Sequence, residues 1–127
     1  MYKSGDIIKT KGQQVLGFTY IYHYGVVLVE NDDVYVLHNG REKGAVKETI
    51  DVFLENREIH SIKSSNLNKL SNRDIILRFE HCKSSWDVLN FNCEHFVDCM
   101  TNRNRNSEQL LKYIIFTTII ILLIKKE

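Results

Sequence analysis

The chain has 127 residues and a mass of 14.9 kDa, about one domain's worth. Apolar residues make up 43% and charged residues 26%, a globular balance that excludes wholesale disorder, and 17 Lys+Arg against 16 Asp+Glu exclude the positive field of a generic nucleic-acid binder. Three cysteines (Cys82, Cys93, Cys99) are too few and too unevenly spaced for a secreted disulfide scaffold, which points to free thiols in a reducing, cytosolic compartment.

Met1–Gly12 lacks the basic, apolar, small-residue order of a secretory signal. Gly5–Thr10 is a short apolar-centred strand. Tyr20–Val29 and Val34–His38 are rich in β-branched and aromatic residues, and Asn31-Asp32 between them is turn chemistry, which predicts an antiparallel hairpin. Gly44–Asp51 and Glu58–Lys63 are further strand segments. Ser71 followed by Asp74 resembles a capping box opening a helix through about Lys83, with Ile75, Ile76 and Phe79 on one face. A second helix starts near Asn92 and ends in the polar run Asn102-Arg103-Asn104-Arg105-Asn106-Ser107. Strands first and helices later predict an α+β domain, an antiparallel sheet packed on helices. The expected organisation is a catalytic domain over 1–101, a polar linker over 102–109 and a hydrophobic segment over 110–127.

If Asn92 caps its helix, Cys93, Phe96, Val97 and Met100 share the apolar face and Cys93 lies in the first turn. Orphan backbone N–H groups and the positive dipole end stabilise a thiolate there, which turns an ordinary thiol into a nucleophile. The competing reading is a small buried hydrophobe. A nucleophilic cysteine needs an imidazole base and a third group to orient it. With an even-numbered turn centred between Asn31 and Asp32, His38 lies opposite Gly25 and His23 two residues further along the same face. That diagonal is ~7–8 Å at the backbone, within side-chain reach. The face also carries Ile21, Val27, Val29, Val34 and Val36, so it is read as core-facing. Ordinary core histidines are the alternative.

Glu94 suits the negative-favouring start of a helix, and His95 points away from Cys93 and reads as a packing residue. The spacing of His23, His38, Cys93 and His95 matches no zinc pattern, so no metal is expected.

His23-Tyr24-Gly25-Val26-Val27-Leu28-Val29, Val36-Leu37-His38 and Asn92-Cys93-Glu94-His95-Phe96-Val97, with Gly5-Asp6 near the start, resemble the lecithin retinol acyltransferase-like family. That family includes small phospholipase/acyltransferases and viral histidine-box proteins, and is a circularly permuted relative of the NlpC-type cysteine peptidases. The resemblance covers roughly Gly5–Met100. It implies a permuted papain-like fold with Cys93 as nucleophile, His23 as base and His38 as the polar residue holding the His23 ring. Backbone N–H groups at Asn92 and Cys93 would face the oxyanion. The implied activity is transfer of acyl groups from glycerophospholipids to water or an amine through a cysteine thioester, without a cofactor. A peptidase or amidase of the NlpC type and a non-enzymatic interaction protein of the same fold are the alternatives. The family joins its histidine strands by a tight glycine-containing turn, whereas Val29–Val34 here reads as a longer connection.

Tyr113–Ile124 runs twelve residues without a charge and ends in Lys125-Lys126. Counted from Leu110 with Lys112 snorkelling, the apolar stretch is roughly 22 Å of helix, short against a hydrocarbon core of ~30 Å. Its apolar residues go round every face, leaving no side for water, and basic residues flank it. These features, and a similarly placed segment in the family, predict a membrane anchor that concentrates the enzyme on its phospholipid substrate. A buried core element is the alternative.

Overall fold

A computed structural model describes residues 1–11, 14–15, 19–20, 22–40, 43–83, 93–102 and 108–126. The fold is α+β. Five strands, β1 (Ile7–Thr10), β4 (His23–Glu30), β5 (Asp33–Gly40), β6 (Gly44–Thr49) and β7 (Ile59–Lys63), make one antiparallel sheet in the order β6-β5-β4-β1-β7. A small separate ribbon joins β2 (Gln14–Val15) to β3 (Thr19–Tyr20). Ile21 of the expected histidine face lies outside the described residues.

The central hairpin has the predicted parity: Val26 pairs with Leu37, Val27 with Val36 and Glu30 with Asp33. Its connection is tighter than the sequence suggested. Only Asn31 and Asp32 form the turn, with φ of 49° and 68°, the left-handed pair that matches strand twist and that Asn and Asp tolerate. Glu30 and Asp33 read as loop residues because they are charged, yet both are in the ladder, and Lys47 on β6 pairs with Glu30.

Both faces of the sheet carry a packed apolar cluster. On one face Val26, Leu28 and Leu37 pack against α2 (Asn72–Cys82) and α3 (Cys93–Thr101) through Ile75, Phe79, Phe96, Val97 and Met100. On the other, Ile8, Val27 and Val36 pack against Phe53 of α1 (Ile50–Leu54). The segment expected to remain a strand to Asp51 therefore turns helical at Ile50. Asp51 favours the first turn of α1 by its charge. Glu55 and Asn56 end the helix in left-handed conformations, and the Arg57 guanidinium donates to the Phe53 and Leu54 carbonyls.

Helix α2 starts as predicted, with the Ser71 hydroxyl accepting from the Asp74 N–H. Ile75 and Phe79 are buried and Ile76 half-buried. The expectation of three free thiols is corrected: Cys82 at the end of α2 and Cys99 on α3 form a disulfide, their Cα atoms 5.9 Å apart. The sequence separation of 17 conceals this pair because it depends on how two helices pack.

Helix α4 (Glu108–Lys125) is apolar round its circumference, and Ile114, Ile115, Ile119–Ile121, Leu122, Leu123 and Ile124 are all exposed. Even the Thr118 hydroxyl turns back to the Ile114 carbonyl at 2.8 Å, satisfying itself within the helix. Among the described residues no helix is long and apolar enough to cross a membrane.

Candidate active site

Alternation along a strand puts every second residue on one face. On the α1 side of the sheet this aligns Thr10 of β1, His23 and Gly25 of β4, His38 of β5 and Glu48 of β6, given that Thr10 pairs with His23, Ile8 with Gly25, His38 with Val46 and Val36 with Glu48. Position 25 has to be glycine for the row to close. A Cβ there would stand 2.3 Å from Val36 Cγ1 and 3.4 Å from His38 Cβ.

The predicted contact between the histidines forms. His23 Nε2 and His38 Nδ1 are 2.9 Å apart, with the rings perpendicular. On its other side, His38 Nε2 lies 2.9 Å from Glu48 Oε2. The second oxygen, Glu48 Oε1, accepts from Lys43 Nζ at 2.5 Å. His38 is 5% exposed as a residue and the Glu48 side chain 13%, so this row is largely shielded from water. Phe53 closes it from the α1 side.

Burial is the main reason His23 titrates low, at about 3, with the neighbouring His38 and Arg57 pushing the same way. Burial also lowers His38. Its bond to the Glu48 carboxylate opposes that, while Arg57 and Lys43 add to it. For Glu48, burial raises the carboxyl, but hydrogen bonds from Lys43 and His38 outweigh it and hold the group below its ordinary value. Near neutral pH the row is thus two neutral imidazoles ending on a carboxylate.

Cys93 is the first residue of α3, buried and outside any disulfide. Its thiol donates to the Tyr22 carbonyl at 3.7 Å. Tyr22 immediately precedes His23, so the sulfur sits against the peptide that leads into the histidine strand. The sulfur reaches this point from the α3 side of the sheet, whereas the His23 ring packs with Phe53 on the α1 side. The thiol and the ring thus flank the start of β4, the sulfur held at the Tyr22 carbonyl and the ring against Phe53. A thiol that donates to a carbonyl and an imidazole kept neutral suit proton removal during attack rather than a standing thiolate–imidazolium pair.

Of the residues read as a site, His23 and His38 are in direct contact and Cys93 is one peptide from His23. Asn92, expected to cap α3 and to supply an oxyanion N–H, lies outside the described residues, while the Cys93 N–H opens the helix. The expected apolar face of α3 is buried, and so are Glu94 and His95. Among the described residues no group of three or more His, Cys, Asp or Glu side chains is arranged to hold a metal. Glu48 was not singled out from sequence. It is diagonal to His38 on the neighbouring strand, a relation that appears only once β6 is registered on β5.

No protein-family model matches the chain, and no curated protein or solved structure does either. The likeness to the lecithin retinol acyltransferase-like family rests on the motif residues themselves.

Proposed function

We propose that the chain is a thiol-dependent acyl hydrolase or acyltransferase acting on glycerophospholipid esters, built on a circularly permuted papain-like domain with histidine before cysteine in chain order. The observation that carries this reading is the bonded His23–His38 pair across β4 and β5, with the Cys93 thiol donating to the peptide that leads into β4. The lipid substrate class comes from the motif resemblance and from the exposed apolar helix α4.

In the first half-reaction His23 takes the thiol proton through Nδ1 as Cys93 Sγ attacks the ester carbonyl carbon. The C–S bond forms, and the developing oxyanion is stabilised by the Cys93 N–H at the start of α3. Collapse breaks the ester C–O bond, and His23 returns the proton to the departing lysophospholipid oxygen. In the second half-reaction water or an amine gives a proton to His23 and attacks the thioester. The C–S bond breaks, the acyl group leaves as fatty acid or amide, and the proton goes back to sulfur.

Helix α4 brings the domain to the bilayer. Its charge-free stretch of twelve residues is ~18 Å long, short of a ~30 Å hydrocarbon core, so it embeds in one leaflet rather than crossing.

The test is the intact mass of the full chain after brief incubation with phosphatidylcholine vesicles. An added acyl mass that disappears in Cys93→Ala supports the reading. Cleavage of amides without any lipid adduct would move the substrate to the peptidase class, and no adduct or turnover with either would make the site non-catalytic.

A further inference from the structure

We propose that Glu48 is a positioning residue that sets the proton on each imidazole, so that the nitrogen left unprotonated at the end of the row is Nδ1 of His23. This rests on the thiol–imidazole reading above, and it adds to that reading a residue and a direction.

The direction of the row is set by what each group can donate. An ionised carboxylate only accepts hydrogen bonds, and an ammonium only donates. With Lys43 on Oε1 and His38 Nε2 on Oε2, the hydrogen between His38 and Glu48 belongs to His38 Nε2. A neutral imidazole carries one N–H, so His38 Nδ1 is an acceptor. The 2.9 Å contact to His23 must then be made by a hydrogen on His23 Nε2, which leaves a lone pair on His23 Nδ1. Reversing any one bond reverses them all and puts a proton on the atom that has to act as base. His23 and His38 alone would allow either direction. Glu48 chooses one, and Lys43 holds Glu48 in place. Arg57 is the other charged group facing the pair, and being a donor it offers no competing acceptor.

Glutamine at position 48 gives a sharp test, because it keeps the shape and changes the hydrogen-bond logic. Its amide has one acceptor and one donor end. Lys43 demands the oxygen, so the NH2 faces His38 and the whole row inverts. The full chain, with 15N-labelled histidine and assignments from His23→Gln and His38→Gln spectra, is examined by long-range proton–nitrogen correlation near pH 7. Iodoacetamide labelling of Cys93 is followed in parallel.

The wild-type chain should show both rings as Nε2–H tautomers. Glu48→Gln should convert both to Nδ1–H and slow Cys93 labelling by roughly 10-fold or more, since a wrongly protonated imidazole cannot serve as base. Adding Lys43→Met to Glu48→Gln frees the amide to turn its oxygen to His38. Recovery of the Nε2–H tautomers and of the labelling rate in that double variant would separate proton placement from mere loss of structure. Should Glu48→Gln fail to fold, Lys43→Met alone and the wild-type tautomers decide. His23 found as Nδ1–H in the wild type, or tautomers indifferent to position 48, would overturn the proposal. Tautomers that follow Glu48 in a protein showing no lipid turnover would sink the substrate class and leave the positioning role standing.

Discussion

Phe53 lies under both imidazoles: its ring stacks on His23 with centroids 5.2 Å apart and meets His38 edge-on at 4.9 Å. A five-residue helix thus supplies the dry floor that keeps the pair neutral. Phe53→Ala should cost about 3–5 kcal/mol of stability, measured by chemical denaturation. Phe53→Leu keeps more of the volume and should fold, while letting the His23 pKa rise toward 6.5 in an NMR titration. An unchanged, depressed His23 in Phe53→Leu would mean that the shielding comes from elsewhere.

Stability should fall as the solution is acidified below neutrality. An unfolded histidine takes up its proton near pH 6.5, whereas folded His23 resists to about pH 3. Between those values the unfolded chain binds more protons, so stability drops with decreasing pH by up to ~1.4 kcal/mol per pH unit for each such histidine. His38 acts in the same direction. Glu48, held below its ordinary 4.5, adds a further loss only at more acid pH. Denaturation midpoints between about pH 5 and 8 isolate the histidine contribution. A flat profile across that window would contradict the neutral pair.

Reduction should loosen the helical side of the sheet. The Cys82–Cys99 bridge closes a loop with a sequence separation of 17, worth about 3 kcal/mol by chain entropy. Cys99→Ser, or dithiothreitol on the wild type, should lower the melting temperature. A melting curve indifferent to reductant would show that the bridge contributes nothing measurable.

Helix α4 should be dispensable for folding and required at the bilayer. A chain lacking Ser107–Glu127 is expected to keep a cooperative melt by circular dichroism, stay soluble, and lose co-sedimentation with phosphatidylcholine vesicles and much of its activity on them. Unfolding or aggregation of the truncated chain would assign the helix to the domain core instead.

Much of this arrangement was legible in the residues. Hairpin parity alone put His23 and His38 on one face, because strand periodicity is strict and Asn31-Asp32 marks the turn centre. Capping chemistry placed the start of α2, and the offsets of Cys93, Phe96, Val97 and Met100 placed the buried face of α3. What escaped depends on contacts between elements. Ile50–Leu54 follows directly on β-branched sequence, so its switch to helix is dictated by packing Phe53 onto the sheet. Glu48 and the Cys82–Cys99 pair need, respectively, a strand register and a helix–helix approach that no local pattern contains.

Among the described residues, β6 is the outermost strand on its side of the sheet, and Glu48 is its contribution to the row. The chain of hydrogen bonds that begins in the shielded interior thus finishes on an edge strand, where the outer oxygen of the carboxylate is held by the exposed Lys43 ammonium. Fraying of that margin, or a visiting strand docked along it, would be felt two residues inward at the basic nitrogen, with no contact to the thiol required.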